Sequence, residues 1–449
     1  MRGPVYHVMA LLSALVKPLP VGTNLGLLHL LWTMVSGSLL VTRGAVIPGL
    51  SQTGLSVGEV RRGWAALGRG RWTVDGLLRR WTGIVQAEGQ WRPREHGGYC
   101  AVAIDVTAIF RPRLRGCPTT HYHAAAGKSL PAIPIGVVAR TGEVGGQRLG
   151  LPLALVRADP TDPSVSAHNR ALTWVGAAAL EPGDVLVADR GFALGMVLTT
   201  GVTRYVVRLA KSCTARRASP PPYRGRGRKP SRGAVVRPLA RSRHGRTLPA
   251  TPADLTDHWW VGGRTIRVAG WTDLVLPDAA ARRSSFTVWA FSDPGYAEPL
   301  LVAAAPELPA RVVYELYLDR WPVEQVPLAA KQMIGAGRQF VWAPETCQRL
   351  PELAVVAGAV LSYAAATGPV VPTGCWDRRP ARTPGRLRRV LARSDFPRTA
   401  SLPPRIRRKE AATGHLQTGA ARWHVRPPAA ASSPQASPAP PPSPSVRGK

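Results

Sequence analysis

The sequence predicts an α/β protein: a mixed sheet with flanking helices, preceded by a helical segment and interrupted by a β-rich insertion. Three observations carry this. Residues 1–95 show helical periodicity with basic polar sides. Two apolar strand-like runs, A-V-A-I-D-V-T-A-I-F at Ala101–Phe110 and D-V-L-V-A-D-R-G-F at Asp184–Phe192, carry the carboxylates Asp105 and Asp189. Around them strand patterns come first, and helix then alternates with strand, the order of a mixed sheet.

The elements follow in order. Leu25–Leu40 reads as a buried helix, and Ser56–Ala66 and Thr73–Gln86 as amphipathic helices with Arg61, Arg62, Arg79 and Arg80 on their polar sides. Gly68-Arg69-Gly70 separates these two. Such a pair can enter DNA as a helix-turn-helix, or can simply pack. The core reads as strands at Tyr99–Phe110, Ala132–Arg140 and Gln147–Ala158, with the glycine-rich turn Thr141–Gly146 before the third. A helix at Pro163–Leu180 follows, then a buried strand Val185–Ala188 ending at Asp189, a short helix from Phe192 and a strand at Tyr205–Leu209. The first strand is expected at the centre, with Asp189 close to Asp105.

The span from Asp189 to the next acid of interest, Glu324, is too long for one connection in a compact domain. It divides into a basic loop, Arg216–Arg246, and a strand-rich piece, Trp259–Ala304. The loop has no apolar periodicity and is expected to be mobile and phosphate-facing. Trp259, Trp260, Trp271 and Trp289 lie in the strand-rich piece, where an indole can stack on an unpaired base or pack in the sheet. Trp289, flanked by Phe286, Val288 and Phe291, is the one expected in the core. Pro351–Ala366 reads as a helix on the core. From about Thr367 the composition shifts to Pro, Arg and Ser, Arg378–Arg408 is strongly basic, and Pro427–Lys449 is of low complexity.

With 449 residues the chain can hold two or three domains, and a formal charge of +33 points to a polyanionic partner. The arginine bias of a GC-rich genome is the alternative source of this charge, and composition alone does not separate the two. Five scattered cysteines (Cys100, Cys117, Cys213, Cys347 and Cys375) have no C-x-x-C spacing and point to a reducing cytoplasm rather than zinc or disulfides. Leu25–Leu40 is too short and too interrupted to span a membrane, and no signal-peptide pattern precedes it. His121-Tyr122-His123 reads as a polar loop rather than a metal site. No phosphate-binding G-x-x-x-x-G-K-[ST] pattern appears.

The stretch that organises the chemistry is Y-L-D-R-W-P-V-E-Q-V-P-L-A-A-K, Tyr317–Lys331. On one helix, Tyr317, Arg320, Glu324 and Lys331 fall within about 60° of arc. A carboxylate among phosphate-binding donors suits an acid that holds a divalent metal against a phosphodiester. A salt-bridged solvent face has the same pattern. Pro322 and Pro327 lie inside this stretch, and an interior proline costs about 3 kcal/mol, so a break is expected near Trp321, with Pro322 opening a second segment.

With D-V-T at Asp105–Thr107 and D-R-G-F at Asp189–Phe192 upstream, this stretch resembles the DDE-type bacterial insertion-sequence transposases. More narrowly, it resembles the insertion-sequence-four group, whose third acid lies in a Y-x2-R-x3-E-x6-K motif. All four motif positions match.

The resemblance implies an RNase H-like core whose Asp105, Asp189 and Glu324 hold two divalent metal ions, Mg2+ or Mn2+. Arg190, Tyr317, Arg320 and Lys331 would grip DNA. It implies an N-terminal DNA-end-binding domain (1–95), a catalytic core (96–211 and 305–366), a basic loop and β-rich insertion (212–304) and a basic, Pro-rich, largely disordered tail (367–449). The partner would be double-stranded DNA, element ends and target, with a dimer in the DNA complex, no membrane, and a cytoplasmic, nucleoid-associated location. Two rival readings stay open: a nuclease on this fold that cuts without joining, and a catalytically inactive DNA-binding relic.

Overall fold

A computed structural model describes residues 3–223, 225, 233–243, 245–276, 284–338, 340–372, 374–397 and 406. The described residues form one compact unit. It is an α/β protein with a large mixed sheet.

Four longer helices open the chain: α1 Pro4–Val16, α2 Thr23–Val35, α3 Val57–Arg69 and α4 Val74–Glu88. The local reasons are visible in the sequence. Ser56 and Glu59 form a capping box at the start of α3, with the Ser56 N–H donating to Glu59 Oε2 at 2.8 Å. The Thr73 hydroxyl caps α4 by accepting from Gly76 N–H, and Gly89, at φ 65°, ends it in the left-handed conformation. The buried helix expected over Leu25–Leu40 instead stops at Val35, and a one-turn helix, Ser38–Val41, follows Gly37 at φ 81°.

The sheet begins with β1 Tyr99–Phe110, β2 Lys128–Val144 and β3 Gln147–Arg157, all antiparallel. Helix α5, Val165–Ala178, is capped by Ser164 and leads to β4 Asp184–Ala188 and β5 Tyr205–Arg208. β4 pairs parallel to β1, and β5 parallel to β4. The insertion supplies β6 Leu255–Val261, β7 Arg264–Val275, β8 Phe286–Ser292 and β9 Leu300–Ala304. The principal order is β3-β2-β1-β4-β5-β9-β8-β7-β6. The insertion therefore extends the core sheet through the antiparallel β5–β9 pair. β1 is interior, as its nearly continuous apolar sequence demands.

Strand β2 runs past the turn expected at Thr141–Gly146, because the reversal is confined to Gly145 and Gly146, both with positive φ. The H-Y-H stretch is not a loop: Thr120–His123 is a strand paired with β2. Of the insertion tryptophans, Trp271 is the most buried, donating to the carbonyls of Thr251 and Pro252 at 3.0 Å. Trp289 covers Gly270, Trp259 lies against Phe291 and Tyr314, and Trp260 is 72% exposed. Most of the basic loop's centre, Tyr223–Gly233, lies outside the described residues. Its flanks are short strands, Ala215–Arg217 and Val235–Val236, with a hairpin of Arg241–Arg243 and Arg246–Leu248.

The chain closes with α6 Ala310–Leu318, α7 Trp321–Ala329, a π turn at Ala330–Ile334, α8 Pro344–Thr367 and α9 Pro384–Leu391. Helix α8 is the one described helix long and apolar enough to cross a membrane, but most of it is buried in the protein, packed against α1–α4 and the sheet. Helix α9 lies where a largely disordered tail was expected, anchored by buried Leu387 and Leu391 and by the Arg386–Asp377 ion pair. Pro427–Lys449 lies outside the described residues.

Candidate active site

Parallel pairing of β1 with β4 brings the first two acids together. The register ends at Ile104↔Ala188, so the next residue on each strand is an aspartate. Neighbouring strands lie about 4.8 Å apart. Asp105 is half-buried, and its Oδ1 accepts from its neighbour Val106 N–H at 2.9 Å. Asp189 opens a turn in which its Oδ1 accepts from Gly191 N–H at 2.5 Å, while buried Phe192 anchors the far side. Arg190 is exposed beside it.

The third acid arrives on a broken helix. Tyr317 ends in α6 and Glu324 sits in the first turn of α7, with Asp319 and Arg320 at the junction. The break expected at Trp321 falls just before it, and Pro322 takes the second position of the new helix, where no N–H is needed. Pro327 remains inside α7, whose continuation is the π turn bearing Lys331. The four motif residues thus belong to three successive segments rather than one helical face. Two glycines let this assembly approach its supports. A Cβ on Gly150 of β3 would lie 2.8 Å from the Pro322 carbonyl oxygen, and one on Gly358 of α8 3.0 Å from Ala330 N.

Electrostatics show how the groups converge. The Asp105 carboxyl is pushed up to about 6, chiefly by burial, with Glu324 and Asp189 adding to the rise and Arg320 opposing it. Arg320 is 6% exposed, pairs with Glu324 Oε1 at 2.6 Å, and its guanidinium lies 5.7 Å from the Tyr317 ring centre. Burial lowers the Lys331 ammonium, while Asp105 raises it. The Tyr317 hydroxyl and Arg320 Nε are buried with no hydrogen-bond partner among the described residues. Unpaired buried polar groups are expensive.

Chemically, three carboxylates around one strand end are a donor set for a hard divalent cation. Asp105 is raised chiefly by its burial, with Glu324 and Asp189 adding to the rise, and a bound cation would favour its charged form. Among the described residues, no group of three or more His, Cys, Asp or Glu stands ready to hold a metal ion. Glu324 is instead engaged by Arg320.

Sequence reasoning missed several contributors. Asp319 is fully buried, and its carboxylate meets Arg94 Nε at 3.0 Å, His96 Nε2 at 2.7 Å and Arg148 Nε at 3.4 Å. Its carbonyl accepts from the Thr141 hydroxyl at 2.6 Å, and His96 also reaches Glu315 at 3.1 Å. This cluster clamps the helix break to β2 and the residues before β1. His121 is close enough to Lys331 and His168 for their charges to lower it, after the larger effect of burial. Local sequence carries no signal for these pairings beyond the bare presence of Asp beside Arg320.

No protein-family model and no curated protein matches this chain.

Proposed function

We propose that the chain is a DDE-type transposase that binds the ends of an insertion sequence, cleaves a DNA strand and joins the freed 3′ hydroxyl to target DNA. The observation that carries this is the adjacency of Asp105 and Asp189 at the end of a parallel strand pair, with Glu324 and Arg320 coupled to the same spot. The order β3-β2-β1-β4-β5, with its first three strands antiparallel, supports an RNase H-like reading of the core. A charge of +33 supports a nucleic-acid partner.

Asp105, Asp189 and Glu324 are the residues that would hold two divalent cations, Mg2+ or Mn2+. When bound, such ions activate the attacking oxygen and stabilise the leaving one. The chain's own part is to orient: the Asp189 turn aims its carboxylate, and Glu324, paired with Arg320, would complete the set. Lys331, Tyr317, Arg320 and exposed Arg190 would grip phosphates, Arg320 through a fork that can meet two oxygens.

A second reading, an inactive DNA-binding relic, draws on the Arg320–Glu324 pair, which occupies the third acid, and on Pro327 inside α7. The test is to incubate the protein with duplex DNA from the flanks of its reading frame and Mg2+ or Mn2+. Nicked and joined products support the proposal. Nicked products alone indicate a nuclease, and salt-sensitive binding without cleavage indicates the relic.

A further inference from the structure

We infer that Asn169 is a positioning residue for Asp189, acting through Gly191; the inference rests on reading Asp189 as a metal-holding carboxylate. Asn169 lies on α5, outside the Tyr317–Lys331 segment, and is 7% exposed. Its Nδ2 donates to the Gly191 carbonyl at 3.0 Å, and the Gly191 N–H donates to Asp189 Oδ1 at 2.5 Å. Both polar groups of Gly191 are therefore engaged, one by the helix and one by the carboxylate.

Glycine is the residue least able to hold its own conformation, so a glycine that must aim a carboxylate needs an external tether. A Cβ on Gly191 would lie 3.3 Å from Asp189 Oδ1, close enough to press on the carboxylate. Asn169 supplies the tether from a regular helix, which locates its side chain better than a loop would.

The other half of the amide makes the argument sharper. Asn169 Oδ1 is buried with no hydrogen-bond partner among the described residues. An orphaned buried acceptor is costly, whereas an apolar side chain of similar size would avoid that cost. Packing alone gives no reason for an amide here. The donor to Gly191 does.

The experiment compares the full-length protein with Asn169→Leu and, as a second variant, Asn169→Ala, which removes the amide without adding a charge or a donor. Three quantities are read: thermal stability without metal, hydrogen exchange at the Gly191 amide without metal, and Mn2+ affinity by calorimetry. The expected result is Gly191 exchange about 10-fold faster, Mn2+ affinity about 10-fold weaker, in the range for loss of an outer-sphere support, and Asn169→Leu no less stable than wild type. Unchanged Gly191 exchange in either folded variant overturns the tether. Faster exchange with wild-type Mn2+ affinity overturns the positioning role. A wild-type protein that binds no Mn2+ and cuts no DNA defeats the transposase reading by itself, while the metal-free exchange still decides whether Asn169 holds Gly191.

Discussion

Replacing Asp105 by asparagine should stabilise the protein at neutral pH, an unusual direction for a change in a central strand. The folded carboxyl holds its proton up to about 6, against the ordinary value of 3.8. Between those values the folded state binds more protons than the unfolded state, so its stability falls as pH rises. At about 1.36 kcal/mol per pH unit, the cost reaches about 1 kcal/mol at pH 4.5 and about 3 kcal/mol at pH 7.5. Asp105 is only half-buried, so solvent screening reduces these upper figures, and a gain of about 1–2 kcal/mol at pH 7.5 is the working expectation. Asparagine can still accept from Val106 N–H, and Arg320 keeps Glu324. Urea unfolding of both proteins at pH 4.5 and 7.5 measures the effect. Asparagine should be favoured more at the higher pH. A variant less stable than wild type at pH 7.5, or a difference independent of pH, would refute the reasoning.

The remaining predictions concern neighbouring groups. Asp319→Asn should destabilise by about 3 kcal/mol, the low end for breaking a buried charge cluster, because Arg94 retains Glu143 and Arg148 can turn to solvent; a loss under about 1 kcal/mol in denaturant unfolding would count against the cluster. The Asp319 carboxyl is held below its ordinary 3.8 by His96 and Arg94 acting against burial. Its contribution is therefore complete above that value and disappears as pH falls through the lower folded one. Asp189→Asn and Glu324→Gln should each abolish metal-dependent cleavage while DNA binding stays near wild type, and normal cleavage would remove that residue from the site. Lys331→Ala should lower the slope of log affinity against log salt by about 0.9, one phosphate's share, whereas an unchanged slope would mean that Lys331 serves only its own helix. Arg320→Lys should still bind DNA but cleave poorly, since the ammonium lacks the guanidinium fork; cleavage at the wild-type rate would rule out a geometric role.

Local pattern carried much of the architecture. Apolar runs, caps and glycine turns are short-range properties, so the strands around Asp105 and Asp189, the helices begun by Ser56 and Thr73, and the break before Pro322 were all legible from the chain. Spacing also picked out Tyr317, Arg320, Glu324 and Lys331, although the single face they were expected to share became a helix end, a junction, a helix start and a π turn. Tertiary structure decided what each charge meets. Arg94 and Asp319 are 225 positions apart and Thr141 and Asp319 are 178 apart, distances at which periodicity carries no information. Periodicity tells which side of an element avoids water. The partner across the core is set by strand order and by helices such as α8 that close the fold, and a buried carboxylate's state follows from that partner. So the acids could be named from the sequence, while the elevation of Asp105, the clamp on Asp319 and the tether from Asn169 exist only once elements distant in the chain have packed together.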